Sequence, residues 1–435
     1  MSRLPRVLMI AANPFTWHNN SGVVFSSLFE NWPYDRLSQI NCPFVTPIEP
    51  MFDVCGRYWA LGPLGLRRMP LPSAALQEAD RSRLDRPSFA RRGLLRVASI
   101  GAVRRRAQAL REFVYARPGL VDDLAVSELS REAAPELIFT TLGSLFLLRV
   151  VLRLAGALDV PIVPYFTDDW ISTEYQRVPG RRWLRPALER GVQQVLERAP
   201  VRLVSSQPMA DEYARRYGGS FRFITRCLHP DRFAVSPRAA LPGAPVELVY
   251  AGQLSLDRWR SLRTIGEQLQ LLQREGLDAR LSVYTLPQDV EIYRQRMTVG
   301  TVLRMAGFVP NDALPAVYDA ADVLVHVESF DREVSAYTRY SLSTKLMEYL
   351  MAGRALLGFG PEDIASMTYV RDSGAGVVVS NPASAALREA LRDLLIDHEL
   401  RARLGLRARA FALAAHDSTT ERRRFGQALA EASAG

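Results

Sequence analysis

Short, wholly apolar runs alternate with stretches of helical period along most of the 435-residue chain. In the first half the runs at 6–12 (RVLMIAA), 136–141 (ELIFTT), 161–166 (PIVPYF), 201–206 (VRLVSS) and 221–225 (FRFIT) read as buried strands. Helical patterns lie between them, one opening at Gly22, one ending near Leu158, and two covering 181–198 and 208–217. The second half repeats the alternation, with strands at 246–252, 279–285, 302–308, 322–327, 355–359 and 374–380. Its helices are expected at 258–274, 288–298 and 311–320, with three more in the tail at 384–397, 399–414 and 418–433. Strands that are apolar throughout and alternate with helices predict parallel sheets covered on both faces. The expected fold class is α/β, with two Rossmann-like, doubly wound domains facing a cleft. An aperiodic, proline-rich stretch at 229–246 reads as the linker between an N-terminal domain (1–228) and a C-terminal domain (247–410). A last helix (411–435) is expected to pack back on the first domain, and residues 43–75, rich in Pro and Gly, read as irregular.

The stretch 341–361 (SLSTKLMEYLMAGRALLGFGP) carries the strongest chemical signal. It predicts a short helix stopped by Gly353, a buried strand Ala355–Phe359, and a Gly360–Pro361 stop. Leu342, Leu346, Tyr349 and Leu350 fall on one inward face. With Ser341 or Ser343 as the expected cap, Ser343, Thr344 and Lys345 lie at the helix start and Glu348 follows one turn later. Free backbone N–H groups plus an ammonium suit an anion, and a carboxylate beyond them suits sugar hydroxyls. Lys345 is the only lysine in the chain, the other 54 of its 55 basic residues being arginine. A lone lysine among so many arginines favours a site-specific use as a compact point charge, against the plainer reading of a surface Lys–Glu pair.

Charge adds one further feature. The net charge is +9, and residues 67–117 account for all of it with 13 Arg against four acidic residues. There Phe89, Leu94, Leu95, Val97, Ile100, Val103 and Leu110 interleave with arginine, a pattern that suits an anionic membrane surface. An arginine-rich solvated face is the competing reading, and a nucleic-acid patch fits less well, so no nucleic-acid partner is expected. Cys42, Cys55 and Cys227 and the five histidines are dispersed without ligand spacing, which predicts reduced thiols, no metal site and a cytoplasmic protein. The N-terminal apolar run is too short for a signal peptide, and no run is long enough to span a bilayer.

Two loops follow strands where α/β sheets bind ligands. The first, residues 13–22, contains Asn13 and ends at Gly22, where backbone can approach a phosphate or sugar; it lacks the G-x-G-x-x-G fingerprint of dinucleotide binders. The second is Thr167-Asp168-Asp169-Trp170, directly after the 161–166 strand, read as ligand-facing acids or as a helix N-cap.

On these residues the chain resembles the GT-B glycosyltransferases, and most nearly the retaining family 4 type of bacterial polysaccharide assembly. The resemblance rests on STKLMEYLMAGRALLGFGP with DSGAGVVV after it, on AGQLSLDRWRSL (251–262), on AGFVPNDALPAVYDAADVLVHV (306–327) and on NPFTWHNNSGVVFSSLFENWP. It implies a hexosyltransferase that needs no metal and no bound cofactor, taking a UDP- or GDP-linked sugar as co-substrate. Glu348 would hold the ribose, Lys345 and Arg258 the diphosphate, with Gly252 and Gln253 beside it. Gly307, Phe308 and Val309 would meet the base, and Gly22 would approach the phosphates from the other domain. Lys345, Arg258 and Asp168 are the expected catalytic groups, and Asn13, Asp168, Asp169 and Trp170 the acceptor side. A lipid-linked saccharide acceptor, met at the inner face of the cytoplasmic membrane, would explain the basic segment. Three positions depart from the family pattern: Gln253 replaces an Arg, Tyr340 replaces a sugar-contacting Glu, and Thr167–Trp170 stands where a His is usual. The sugar contact is then expected to move to Glu328, Asp331 or backbone. The departures keep a non-catalytic GT-B subunit and a nucleotide-sugar epimerase open as alternatives.

Overall fold

The computed structural model describes residues 3–11, 13–16, 20–42, 54–62, 65–69, 121–176, 181–233 and 244–434. Two sheets organise them. The first takes β1 (Val7–Ile10), β2 (Leu37–Asn41), β3 (Arg57–Gly62), β4 (Gly65–Met69), β5 (Leu137–Thr140), β6 (Ile162–Phe166), β7 (Leu203–Val204) and β8 (Arg222–Phe223) in the order β4-β3-β2-β1-β5-β6-β7-β8. Every pair is parallel except β3 with β4. The second takes β9 (Val246–Ala251), β10 (Ala279–Tyr284), β11 (Leu303–Gly307), β12 (Val323–Val327), β13 (Ala355–Phe359) and β14 (Gly376–Val379), all parallel, in the order β11-β10-β9-β12-β13-β14. Strand order therefore reverses beside β1 and again beside β9, the topological signature of doubly wound sheets.

The apolar runs become strands because both faces are covered. In β1, β5, β6, β12 and β13 every residue is buried. The helices Leu145–Leu158 and Gln207–Tyr217 are capped by Ser144 and Ser206, whose hydroxyls accept from Leu147 and Met209. The helix Arg258–Arg274 buries Leu262, Ile265, Leu269 and Leu272 against the second sheet.

Several elements differ from the sequence reading. Residues 43–75 hold the hairpin β3–β4, with Tyr58, Trp59, Leu61 and Leu66 buried and Gly65 (φ 107°) turning the chain. Strand β2 (LSQIN) escapes a hydrophobicity pattern because Ser38, Gln39 and Asn41 are buried with it. A helix, Arg332–Thr338, forms after β12 where the pattern marks no element, capped by Asp331 accepting from the Glu333 and Val334 amides. Another, Ala365–Asp372, follows β13. Of the basic segment, only Arg67–Met69 falls among the described residues, and the linker residues 234–243 lie outside them.

The chain crosses between the two units twice, side by side, where Leu228 bridges Asp417. The last helix, Ser418–Ala434, lies on the first unit, where Phe425 meets Phe29 edge-on at 4.9 Å between ring centres. Its predecessor, His398–Ala415, packs on the second unit through Ala408 and Ala412. His416 sits at this crossing, 1% exposed and hydrogen-bonded to Tyr369, and burial pushes its imidazole down to about 4. An unfolded chain takes up that proton near pH 6.5 while the native state refuses it until about pH 4. Stability is thus expected to fall by up to about 3 kcal/mol between these limits on acidification. Denaturant titrations at stepped pH should show that slope, and His416→Gln should flatten it. The three cysteines are buried and unpaired, and burial raises each thiol to about 12, far from reactivity at neutral pH.

Candidate active site

The reversal beside β9 and β12 opens a crevice at the carboxyl ends of these strands, and four charged side chains converge there. Arg258 opens its helix after Leu256 and Asp257, two consecutive non-glycine residues in the left-handed region. Glu328 lies one residue past β12, Lys345 opens the helix Lys345–Ala352, and Asp168 stands two residues past β6 of the other unit.

Arg258 Nη2 lies 3.3 Å from both Glu328 oxygens, and His326 Nε2 is 3.4 Å from Oε1. Burial alone would raise the Glu328 carboxyl, but Arg258, His326 and Lys345 together hold it at about 2. The Lys345 ammonium sits over the Tyr250 ring, 4.0 Å from its centre, buried and with no hydrogen-bond acceptor. Burial, with Arg258 adding like-charge repulsion, lowers its pKa well below the usual lysine value. An unpartnered buried ammonium is costly unless something at the site accepts its hydrogen bonds. Gln253 contributes through its carbonyl, which accepts from Tyr250 Oη at 2.7 Å and so fixes the ring beneath Lys345.

Gly252 (φ 153°) makes this packing possible, since a Cβ there would stand 2.6 Å from Lys345 Nζ. Gly252→Ala is therefore expected to displace the ammonium and weaken anion binding by about tenfold. Calorimetric titration with inorganic pyrophosphate checks this; unchanged affinity would mean that the ammonium position does not matter.

The helix start differs from the expected serine cap. Thr344 occupies the cap position and makes no side-chain cap bond, while the Ser343 amide donates to Ser366 Oγ. Ser341 Oγ instead donates to Asp168 across the two units, at 2.7 Å. Asp168 also accepts from Thr167 Oγ1 at 3.2 Å and from the Tyr337 phenol. Burial raises its pKa despite these donors and the charge of Arg258. Its neighbour is differently placed. Asp169 is 1% exposed, accepts from Tyr213 Oη at 2.9 Å, and is held by Arg216 Nη1 at 2.9 and 3.1 Å. Asp169 and the buried Trp170 belong to the framework of the first unit, and Asp168 alone of the three reaches the crevice cluster.

The remaining residues fall around this centre. Glu348 is buried, paired with Arg226 at 2.6 Å and hydrogen-bonded by Tyr318 at 3.0 Å. Gly307 (φ 90°) ends β11, with exposed Phe308 and then Val309 after it. Asn13 bonds Ser21. Gly22 lies within the helix Asn20–Leu28, where a Cβ would strike the Pro14 carbonyl, so close packing on its own loop explains that glycine. Tyr340 lies between Arg216 and Arg339, and its carbonyl accepts from Ser206 Oγ of the first unit. A cavity of about 350 Å³ flanks the cluster, lined among others by Asp257, Ser261, Ser329, Phe330 and Asp331.

Sequence reasoning gave Glu328 only as a substitute contact and missed His326, Tyr250 and Arg226. An acid just past the carboxyl end of a buried strand is the signal that singles out Asp168, and it applies equally to Glu328. Nothing local marks Arg226, because its partner lies 122 positions away across the linker. Among the described residues no group of three or more His, Cys, Asp or Glu is placed to hold a metal ion, and no helix is long and apolar enough to cross a membrane.

Residues 267–427 match a family model described as glycosyl transferase-like. No curated protein matches the chain. Among solved structures, sucrose-phosphate synthase from Thermosynechococcus elongatus is similar with a TM-score of 0.63 at 16% identity, covering 97% of this chain and 98% of its own. Anabaena HepE in complex with UDP gives 0.61 at 12% identity, and WaaG, a glycosyltransferase involved in lipopolysaccharide biosynthesis, gives 0.56 at 14%, each with the same coverage of both chains. The chain is thus a GT-B-fold protein carrying a glycosyl transferase-like region over residues 267–427.

Proposed function

We propose that this protein is a retaining, metal-independent hexosyltransferase that takes its sugar from a UDP- or GDP-linked donor. One observation carries the reading: a buried ammonium without an acceptor, Lys345, beside Arg258 at the strand-order reversal of the glycosyl transferase-like unit. An anionic diphosphate supplies the missing acceptors. HepE, of the same fold, has been seen with UDP and with UDP-glucose.

In this reading Lys345 and Arg258 bind the diphosphate, Glu348 accepts from the ribose hydroxyls, and the base lies by Gly307–Val309. The C1–O bond to the diphosphate breaks and the leaving group gains charge, which the two cations stabilise more in the transition state than in the ground state. The acceptor hydroxyl oxygen bonds to C1 from the same face, and its proton passes to the departing phosphate oxygen. Asp168 orients the acceptor, and Glu328, held by Arg258, faces the sugar in place of the glutamate that Tyr340 replaces. Phe330 and Asp331 of the flanking cavity offer the aromatic face and carboxylate that a pyranose ring favours. The acceptor is a lipid-linked saccharide of cell-surface polysaccharide synthesis. The enzyme meets it at the inner face of the cytoplasmic membrane through the basic segment 67–117.

A second reading, a non-catalytic subunit of a polysaccharide complex, draws on Glu348 having both oxygens engaged by protein groups and on Tyr340 being packed against the other unit. Radiolabelled UDP- and GDP-hexoses, incubated with the purified protein and lipid-extracted acceptors, separate the two. Transfer, or slow release of free sugar, supports the enzyme. Nucleotide binding with neither product supports the subunit.

A further inference from the structure

The Arg226–Glu348 pair joins the segment leading into the linker to the helix that carries Lys345. Both side chains are more than nine-tenths buried, at 5% and 6% exposure. Arg226 is held from both sides along the backbone. The Thr225 amide donates to Glu421 Oε2 at 3.2 Å, and the Cys227 amide donates to Ser27 Oγ at 3.2 Å. The backbone that carries the guanidinium is therefore fixed by the last helix and by the first unit. On Glu348, Oε1 takes Arg226 and Oε2 takes Tyr318. Each carboxylate oxygen accepts two hydrogen bonds, so one lone pair on each remains for a further donor. Two free acceptor positions on one rigid carboxylate match a vicinal diol.

We propose that Arg226 is a positioning residue that fixes the Glu348 carboxylate to receive the two ribose hydroxyls of the donor nucleotide. This rests on the donor-site reading above and adds a residue to it: the group that sets Glu348 comes from outside the donor-binding unit. Nucleotide affinity thereby depends on how the linker segment is seated.

The test compares wild type, Arg226→Gln and Arg226→Lys by isothermal titration with UDP, GDP, their 2′,3′-dideoxy counterparts and inorganic pyrophosphate. Arg226→Gln is expected to weaken the preferred ribonucleotide by about tenfold, the size of one charge-assisted hydrogen bond. The dideoxy nucleotide and pyrophosphate should lose almost nothing, because neither presents the diol. Arg226→Lys keeps the charge without the fixed fork and should fall between the two. It also serves if Arg226→Gln does not fold. Equal loss for the ribonucleotide and its dideoxy form, or no loss at all, overturns the assignment. If wild type binds pyrophosphate but discriminates no ribonucleotide from its dideoxy form, the positioning role falls while the diphosphate site stands. If wild type binds none of the probes, both fall.

Discussion

Replacing Lys345 by methionine is expected to lower turnover by about 10²–10³-fold while leaving the protein as stable as wild type or more so. The first half follows from charge development: a donor aimed at a leaving diphosphate is worth about 3–4 kcal/mol in the transition state. The second half follows from burial. The ammonium has no acceptor, and Arg258 repels it, so the folded protein carries a desolvation cost that methionine removes at similar volume. An ordinary surface Lys–Glu pair would give the opposite signature, a slight loss of stability and intact turnover. Ligand binding adds a proton readout. Because the free site holds the Lys345 pKa down, an anionic diphosphate should raise it and draw a proton from the buffer at alkaline pH. That uptake is read in the wild type from the buffer dependence of the calorimetric enthalpy.

The adjacent acids Asp168 and Asp169 are expected to separate completely. Arg216→Met leaves Asp169 buried with Tyr213 as its remaining hydrogen-bond partner, and breaking a buried pair in this way costs about 3–5 kcal/mol. Denaturant unfolding should show that loss. Asp168→Asn keeps the shape and much of the bonding, since Ser341 and Thr167 hydroxyls can reorient to either end of an amide. Its stability should stay near wild type while turnover falls by about 10–100-fold through a misplaced acceptor. If Asp169→Asn proves as inactive and as stable as Asp168→Asn, the division between framework and crevice is wrong.

The two sheets were readable because their central strands are buried on both faces, so that β13 and the Arg258–Arg274 helix fall on the residues the pattern marks. The pattern failed where the physics is different. Strand β2 buries three polar side chains, and the β3–β4 hairpin lies in a Gly- and Pro-rich stretch whose alternation is brief. The site was legible in its local parts: a lone lysine at a helix start, an arginine opening a helix, acids just beyond buried strands. Its cross-unit parts were not. Ser341 reaches Asp168 over 173 positions, and Arg226 reaches Glu348, because folding places them together, and no spacing rule encodes such pairs.

In the proposed function, Lys345 and Arg258 form the diphosphate site of a nucleotide-sugar donor. A thermal-shift series with UDP, GDP and inorganic pyrophosphate, on wild type and Lys345→Met, tests it most directly, since a ligand that binds only the native state raises the melting temperature. One nucleoside diphosphate is expected to stabilise wild type strongly, pyrophosphate to do so weakly, and neither to stabilise Lys345→Met. Equal stabilisation of both proteins, or none of either at millimolar ligand, would contradict the claim.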